Sequence, residues 1–400
     1  MKTDQARRIL FYWQDIWLPH SQFIVEEFQG GCVGCEIVLA GPSCRTNAAA
    51  IFTVHGSRRP SAMMEIAERT GSYRWRETVC TFSEWRRLIK QHRPDIVVVA
   101  DEAMSLNVLL ASVANRVYGN GIVLFYAFEN IAQGASWQTF LKRPSLSNLR
   151  ICLLKTFRVL LVDRLLMPLR RRLVAGGLVS YEECAAVMCS HGWTPRMVQQ
   201  WWPVDGRVFV PDGPRADFGL SASFVVGFVG RFVLEKGVGY LLDAVAKLDD
   251  RFGIVLIGDG PQKADLERRI AEHGLGRRAR ILPPQDSETL ASSYRAVNLL
   301  VLPSISTLTW KEQYGRVLME ARGCGTQIAG SDSGAIPFVV ADPEMIFPEG
   351  DVAAMARIIC RAADRTPVKC GGGEAVGPQE FVRAWLALAD GCLGNASQDV

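Results

Sequence analysis

The sequence predicts an α/β protein made of two doubly wound domains. Apolar runs of strand length alternate with segments of helical periodicity in both halves of the chain. Between the halves, residues 203–219 contain the Pro, Gly and Asp residues typical of an interdomain linker. The 400 residues, of which 48% are hydrophobic, are sufficient for two buried cores. We therefore expect one domain over residues 1–202, a second over 220–370 and a closing helical segment over 371–400.

The first domain is predicted from four apolar strands that alternate with helices. The predicted strands are 9–13, 36–40, 95–100 and 122–126, and the predicted helices are 22–29, 82–91 and 106–118. Pro94 ends one of these helices, and the uninterrupted apolar run that follows it is typical of a buried parallel strand. Residues 132–175 are less regular, and we interpret them as a helical insertion that ends this domain.

The second domain shows a stricter alternation. Its predicted strands are 224–229, 253–257, 279–282, 299–302 and 327–329, and its predicted helices are 237–248, 262–273, 288–295 and 315–321. This order indicates a doubly wound parallel sheet. We expect the ligand to lie in a cleft that the two domains face, because concave sites between domains are the usual place for small molecules.

Composition and charge exclude several classes of protein. The formal net charge is +4 and no block of like charge occurs, so a nucleic-acid partner is not expected. Residues 1–5 are polar and the first apolar run ends at Gln14, which is too short for the core of a signal peptide. The longest apolar region, 151–173, is interrupted by charged residues and does not predict a membrane span. We expect a cytoplasmic protein.

The cysteines and histidines predict neither disulfides nor a metal centre. The 11 cysteines lack framework spacing and are expected to be reduced thiols in a chain without an export signal. The 5 histidines show no ligand spacing, and Cys32 and Cys35 have no second pair to complete a zinc site. No Asp-x-Asp sequence occurs. We expect no metal and no cofactor.

The segment GFVGRFVLEKG, residues 227–237, predicts an anion site. Gly230 at a strand end lets the backbone approach a ligand, and Arg231 and Lys236 precede a helix N-terminus. A guanidinium suits phosphate oxygens, and an ammonium adds a point charge. The alternative is that both cations are solvated surface residues.

Two glutamates flank a second helix start. Glu312 and Glu320 are eight residues apart, about 80° around a helix axis, so they do not form one acid/base pair on a continuous helix. Glu320 lies in an apolar helix, where a carboxylate needs hydrogen-bond donors such as ribose hydroxyls. Glu312 precedes the helix and is placed to bind sugar hydroxyls, or is an exposed surface carboxylate. Residues 330–337 then form a strand-end turn.

In their order, the segments GFVGRFVLEKG, LIGDGP, YRAVNLLVLPS, KEQYGRVLMEARGCG and SDSGAIP resemble the donor domain of family 4 retaining glycosyltransferases. The resemblance covers about residues 203–350 and implies a GT-B fold, in which two Rossmann-like domains face a cleft and a C-terminal helix crosses back to the first domain. It implies these roles: diphosphate binding by Gly230, Arg231 and Lys236, donor-sugar binding by Glu312, Gln313, Tyr314 and Gly315, ribose binding by Glu320, and a catalytic role for Glu312, Arg231 and Lys236.

The N-terminal half departs from the family. The segment WQDIWLPHSQ stands where relatives have a glycine-rich loop, and Trp13 and His20 are candidates for the acceptor side. The alternative for the tryptophan is packing in the core. Where relatives have a histidine, this chain has Phe128 and Glu129, and Glu129 is either a polar substitute or an exposed strand-end residue. His55 precedes that position by two strands, and we treat it as a structural or surface residue.

These features predict a metal-independent retaining glycosyltransferase of carbohydrate biosynthesis. The donor is a nucleoside diphosphate sugar, and the hydroxyl acceptor is a polysaccharide, a lipid-linked sugar or a natural-product precursor. Two alternatives remain, a catalytically silent nucleotide-sugar-binding subunit and a sugar-nucleotide epimerase on the same fold. The basic and apolar segment 164–173 allows peripheral contact with the inner face of the membrane, against the alternative of a packed helix with a solvated basic face.

Overall fold

The computed structural model describes most of the chain, and the account below is restricted to that part. The described residues are 7–13, 23–24, 26, 35–42, 63–66, 80–128, 141, 145–157, 164–193, 196–307, 310–365 and 377–396. The chain divides into two compact units, of which unit 1 comprises Met1–Trp201 with Pro378–Val400 and unit 2 comprises Trp202–Gly377.

Unit 1 is built on a parallel sheet in which the strands follow the order β3-β2-β1-β4-β5-β6-β7. Its strands are β1 (Arg7–Trp13), β2 (Cys35–Pro42), β3 (Met63–Ile66), β4 (Ile96–Ala100), β5 (Ile122–Ala127), β6 (Gly176–Val179) and β7 (Arg196–Gln199). Its helices are α1 (Phe82–His92), α2 (Leu106–Tyr118), α3 (Leu146–Phe157), α4 (Arg164–Leu173), α5 (Glu182–Ser190) and α12 (Pro378–Ala396). The predicted helix 22–29 lies mostly outside the described residues.

The α1–β4 connection has the form that its sequence predicts. Thr81 and Glu84 form a reciprocal capping box at the start of α1, which satisfies amides that have no partner inside the helix. Arg93 adopts a left-handed conformation at φ 44° directly before Pro94, where the proline ring disfavours a further helical residue. All five residues of β4 are buried, as a central parallel strand requires.

The predicted helical insertion is helical over Leu146–Phe157 and Arg164–Leu173, but it does not end unit 1, and that part of the prediction was wrong. Two further parallel strands, β6 and β7, follow α4. Each has only four residues, and β6 begins with two glycines, so neither produces a recognisable apolar period. The second of these glycines, Gly177, lies so close to the Phe125 ring that a Cβ atom would be 2.5 Å from it. The glycine is therefore required by packing between neighbouring strands.

The last helix, α12, packs within unit 1. Its buried face contains Phe381, Trp385 and Leu388. The Trp385 ring meets Phe11 of β1 edge to face at 6.1 Å and lies 6.1 Å from Tyr126 of β5. Aromatic contacts of this kind add to the burial of large apolar surfaces and fasten the helix to the sheet.

Unit 2 is a six-stranded parallel sheet in the order β10-β9-β8-β11-β12-β13. Its strands are β8 (Phe224–Val229), β9 (Phe252–Ile257), β10 (Ala279–Leu282), β11 (Leu299–Leu302), β12 (Gln327–Ser331) and β13 (Ile346–Phe347). Its helices are α6 (Val238–Ala246), α7 (Lys263–Glu272), α8 (Ser287–Ala296), α9 (Arg316–Gly323), α10 (Ile336–Val340) and α11 (Val352–Asp364). The strand order reverses between β8 and β11, so their carboxyl ends form the crevice in which doubly wound sheets bind ligands.

Residues 203–219, predicted as a linker, are part of unit 2. Val204, Asp205 and Phe209 are buried. The guanidinium of Arg295 in α8 donates to the carbonyl oxygens of Val210 and Pro214 at 3.1 and 2.8 Å. These contacts satisfy backbone groups that a solvated linker would leave to water.

The glycine before α6 is under two constraints, which its substitution tests. Gly237 has φ +65°, and a Cβ atom there would lie 1.9 Å from the carbonyl oxygen of Pro303. Gly274 has nearly the same φ, +66°, with no atom within 4 Å of the added Cβ. We expect Gly274→Ala to lower the free energy of unfolding by about 1–3 kcal/mol through backbone strain. Gly237→Ala should lower the free energy of unfolding by at least about 2 kcal/mol more than Gly274→Ala does, because Pro303 must also move.

Urea unfolding followed by circular dichroism measures both variants. Equal losses in Gly237→Ala and Gly274→Ala would contradict the close approach of the two loops.

Candidate functional site

The candidate site lies at the carboxyl ends of β8, β11 and β12 in unit 2. The loop after β8 carries Gly230, Arg231 and Lys236, the loop after β11 carries Ser304 and Glu312, and the turn after β12 begins at Asp332. In a parallel sheet these strand ends share one edge. The sequence segments that predicted the site are thus brought together by the topology of the sheet.

Close backbone packing fixes the first loop. A Cβ atom on Gly258, after β9, would lie 1.9 Å from the carbonyl oxygen of Gly230, and Gly258 has φ +149°. The amide of Gly230 donates to the carbonyl oxygen of Ile257 at 3.0 Å, and the amide of Phe232 donates to the carbonyl oxygen of Asp259 at 2.8 Å. Glycine is needed here because two strand-end loops meet through their main chains.

The centre of the site is an ion pair between Lys236 and Glu312. Lys236 Nζ donates to Glu312 Oε2 at 2.6 Å, and Ser304 Oγ donates to the same oxygen at 2.7 Å. The side chains of Lys236 and Glu312 are 17% and 8% exposed, so the pair is largely removed from water. The ammonium also lies 5.0 Å from the centre of the Trp310 ring, within the range of a cation–π contact.

This pairing adds to what the sequence predicts. Lys236 and Glu312 were expected to bind different parts of a ligand, whereas the structure joins them directly. Arg231, by contrast, is exposed and has no ion-pair partner among the described residues. The first loop therefore offers one cation that is paired with a carboxylate and one that has no such partner.

Buried serines support the loop after β11, and sequence reasoning missed them. Ser331 Oγ donates to the carbonyl oxygen of Ser304 at 2.6 Å, and the hydroxyls of Ser306 and Ser333 lie 2.9 Å apart. Ser304, Ser331 and Ser333 are buried. The available signal was the recurrence of serine directly after two apolar strands, in LPSIS and GSDSG.

Glu349 holds the same loop from the segment after β13. Its carboxylate accepts from the amide of Ser306 at 2.7 Å and from the hydroxyl of Ser306. The amide of Glu349 donates to Asp332 Oδ1 at 2.9 Å. A carboxylate that accepts from both groups of one residue fixes the path of the chain there.

The residues between Glu312 and α9 turn sharply. Gly315 has φ +71° and stands directly before the helix, whose first amides have no partner within the helix. Tyr314 is buried, and its hydroxyl donates to the carbonyl oxygen of Trp202 at 2.7 Å. Gln313 is exposed. The carbonyl of Glu312 accepts from the amide of Ala335 at 3.0 Å, which joins this turn to the one after β12.

Glu320 is a buried carboxylate inside α9. Tyr294 donates to its Oε2 at 2.8 Å, and Arg316 Nε lies 3.1 Å from Oε1 as an ion pair outside hydrogen-bond geometry. Burial raises the pKa of the Glu320 carboxyl, and Arg316 and the Tyr294 hydroxyl oppose part of that rise. Burial and the neighbouring carboxylate raise the pKa of the Tyr294 phenol well above its usual value, so it stays a donor.

In unit 1, two of the residues discussed for the acceptor side are described. Trp13 is the last residue of β1 and is 5% exposed, which makes it part of the core. Phe128, directly after β5, packs on Tyr126 at 4.4 Å, and its amide donates to Glu102 Oε1 at 2.7 Å. His20, His55 and Glu129 lie outside the described residues. Glu102 is a strand-end carboxylate that sequence reasoning missed.

The described residues contain neither a cluster of metal ligands nor a membrane-spanning helix. In that part of the chain, no three His, Cys, Asp or Glu side chains are grouped so that they hold a metal ion. No described helix combines the length and the apolar character that crossing a bilayer requires.

Comparison with known proteins finds a family match within unit 2. Residues 215–366 match the family model of Glycosyl transferases group 1. A D-inositol 3-phosphate glycosyltransferase of Mycolicibacterium smegmatis is 35% identical over 208 residues, which are 49% of this chain and 46% of the relative. A 2-deoxystreptamine glucosyltransferase of Streptomyces kanamyceticus is 34% identical over 145 residues, 35% of this chain and 36% of the relative. The chain thus spans less than half the length of these relatives.

Solved structures extend the likeness in fold over the whole chain. The structural match with a glycosyltransferase of Rickettsia africae covers 98% of this chain and 99% of that protein's chain, with a TM-score of 0.68 and 13% identity. The sucrose-phosphate synthase of Thermosynechococcus elongatus covers 98% of each chain with a TM-score of 0.63 and 19% identity. The chain therefore has the GT-B fold, with two Rossmann-like domains, and residues 215–366 resemble group 1 glycosyltransferases in sequence.

Removing the Tyr294 hydroxyl tests the environment of Glu320. Tyr294→Phe leaves a buried carboxylate oxygen without its donor, so we expect a loss of about 1–3 kcal/mol in the free energy of unfolding. The variant also raises the folded-state pKa of Glu320 further while the unfolded value stays the same. The loss should therefore be largest where Glu320 is ionised and should shrink as the pH falls and the carboxyl gains a proton.

Urea unfolding of the wild type and of Tyr294→Phe at several pH values checks this expectation. Tyr240→Phe is the matched control, because Tyr240 is 43% exposed. A loss in Tyr294→Phe that stays constant with pH would contradict the assigned hydrogen bond to the carboxylate.

Proposed function

We propose that this chain, whose residues 215–366 match the family model of Glycosyl transferases group 1, moves a sugar from a nucleoside diphosphate sugar to a hydroxyl acceptor with retention of configuration. The observation that carries the proposal is the cluster of Lys236, Glu312 and Ser304 beside Arg231 at the carboxyl ends of β8 and β11. Doubly wound sheets bind nucleotides at this edge.

The donor diphosphate is assigned to the loop after β8. Departure of a nucleoside diphosphate develops negative charge, which fixed cations and helix N-termini stabilise. Exposed Arg231 supplies a guanidinium fork, Gly230 allows close approach of the main chain, and Lys236 adds a second cation next to the start of α6. The absence of an Asp-x-Asp sequence agrees with a reaction that uses no metal.

The donor sugar is assigned to Glu312 and the turn of Gln313, Tyr314 and Gly315. Lys236 and Ser304 hold one carboxylate oxygen of Glu312 in place, so the side chain is oriented before a ligand arrives. A carboxylate fixed in this way accepts hydrogen bonds from sugar hydroxyls without a further loss of side-chain entropy. The backbone amides at the start of α9 add hydrogen-bond donors for the same sugar.

The ribose is assigned to Glu320. Both of its oxygens have a partner inside unit 2, Tyr294 on one side and Arg316 on the other. The Arg316 side chain is 33% exposed, so it is the partner that a ribose hydroxyl displaces. Tyr294 remains in place and keeps the carboxylate oriented.

The proposed reaction needs no nucleophile from the protein. As the bond between the sugar and the phosphate breaks, the sugar becomes oxocarbenium-like. A phosphate oxygen of the leaving group accepts the proton of the acceptor hydroxyl, and that hydroxyl attacks from the same face. The work of the protein is positioning and charge stabilisation by Arg231, Lys236 and Glu312.

The acceptor is a hydroxyl compound of the polysaccharide, lipid-linked or natural-product class, bound by unit 1 in the cytoplasm. Two exposed leucines of α4, Leu165 and Leu169, precede the exposed Arg171 and Arg172, whereas Arg170 is buried. This mixture of apolar and basic side chains supports peripheral contact with anionic lipid on the inner face of the membrane.

A thermal-shift panel of UDP-, GDP-, ADP- and dTDP-sugars tests the donor site. A ligand at about 100 times its dissociation constant stabilises the fold by about 2.7 kcal/mol. We expect stabilisation by one nucleotide class, and we expect the double variant Arg231→Ala, Lys236→Ala to lose it. The matched control is Lys247→Ala, Arg357→Ala, which removes the same charges from exposed positions at the end of α6 and on α11.

Equal stabilisation of the wild type, the double variant and the control by the nucleotide sugar would place nucleotide binding elsewhere in the chain. No shift with any donor would contradict the donor site assigned to unit 2.

Activity of Glu312→Ala tests the sugar-binding role. We expect transfer from the donor identified above to fall by at least about a hundredfold, the usual effect of removing one positioned polar group from a transition state. The melting temperature and the nucleotide-induced shift report whether the fold and the diphosphate site survive. Glu288→Ala, a change at the first turn of α8, is the control. Unchanged transfer by Glu312→Ala would overturn its role.

A further inference from the structure

Unit 1 contains a cavity of about 700 Å³ at the amino edge of its sheet. It is bounded by the first residues of β5 and β7, by the residues that lead into β6, and by Gly391 and Cys392 of α12. The volume is within the range of small-molecule sites, about 300–1,000 Å³. The carboxyl edge of the same sheet, where Trp13 and Phe128 lie, is at the other end of the strands.

Four arginines line this cavity: Arg116, Arg171, Arg172 and Arg196. All four are exposed, and within the described part of the chain none of them has a carboxylate partner. The described lining residues include no aspartate or glutamate. Four like charges around one concave surface repel one another, and a bound anion removes that repulsion.

Helix ends explain part of this arrangement. Arg116 lies in the last turn of α2, and Arg171 and Arg172 lie in the last turn of α4, where cations are favoured by the helix dipole. Arg196 is different, because it begins β7 and has no helix end of its own. Its presence at the cavity needs another reason.

Two glycines make room for the guanidinium groups. A Cβ atom on Gly391 would lie 1.8 Å from Arg196 Nη1, and a Cβ atom on Gly192 would lie 2.5 Å from Arg171 Nη2. A side chain at either position would push the guanidinium from its place. The cavity is thus shaped around arginines on two different elements, the end of α4 and the start of β7.

We propose that this cavity binds the phosphate group of a small organic phosphate. Guanidinium forks match phosphate oxygens and form charge-assisted hydrogen bonds with them. Ser112, Asn115 and Asn120 also line the cavity and provide polar groups for the organic part of the ligand. The cavity lies in unit 1 and shares no residue with the proposed donor site in unit 2.

Calorimetric titration of the full chain with inorganic phosphate and with glycerol 3-phosphate tests the proposal. The Arg231→Ala, Lys236→Ala background removes the proposed donor site from the measurement. We expect one phosphate site per chain, and a dissociation constant raised about tenfold or more by Arg171→Ala, Arg196→Ala, because each change removes a charged hydrogen bond. The matched control is Arg150→Ala, Arg383→Ala, which removes two exposed arginines of unit 1 away from the cavity.

Three results would overturn the proposal. The first is no binding of either phosphate and no sedimentation with vesicles, which would leave the four arginines as surface residues without a ligand. The second is equal weakening by the control variant, which would indicate nonspecific attraction. The third is sedimentation with vesicles of phosphatidylcholine and phosphatidic acid, without binding of either free phosphate, which would assign the arginines to a lipid surface. Weaker binding in Arg171→Lys, Arg196→Lys supports recognition by the guanidinium fork.

Discussion

The ion pair of Lys236 and Glu312 connects two loops on which the rest of the candidate site depends. Each residue follows a different strand, and the pair is nearly enclosed, with Ser304 donating to the same carboxylate oxygen. A buried pair of this kind gains little net stability, because both charges lose their hydration. Its value is positional, since removing either partner leaves an uncompensated charge that must find water or a ligand.

Much of unit 2 could be predicted because local and global signals agree there. The strands are continuous apolar runs, the helices are amphipathic, and glycines stand where loops meet through their main chains, as at Gly237 and Gly258. The same agreement placed Arg231, Lys236, Glu312 and the start of α9 at one sheet edge. A single sequence contains this information because each element specifies its own local structure.

The remaining features depend on contacts between distant residues. The pairing of Lys236 with Glu312 spans 76 positions, and no local pattern encodes it. The strand β6 was missed because its glycines serve the Phe125 ring of a neighbouring strand and weaken its own strand signal. The arginine cavity of unit 1 combines α2, α4, β7 and α12, whose charges look like ordinary surface residues until the fold places them together.

The position of Trp310 gives the site an optical property of its own. Its indole lies 5.0 Å from the Lys236 ammonium, and the electric field of that charge acts on the excited state of the ring. Any ligand that draws the ammonium toward itself changes this field. The emission of Trp310, one of the 10 tryptophans of the chain, therefore depends on the electrostatic state of the ion pair.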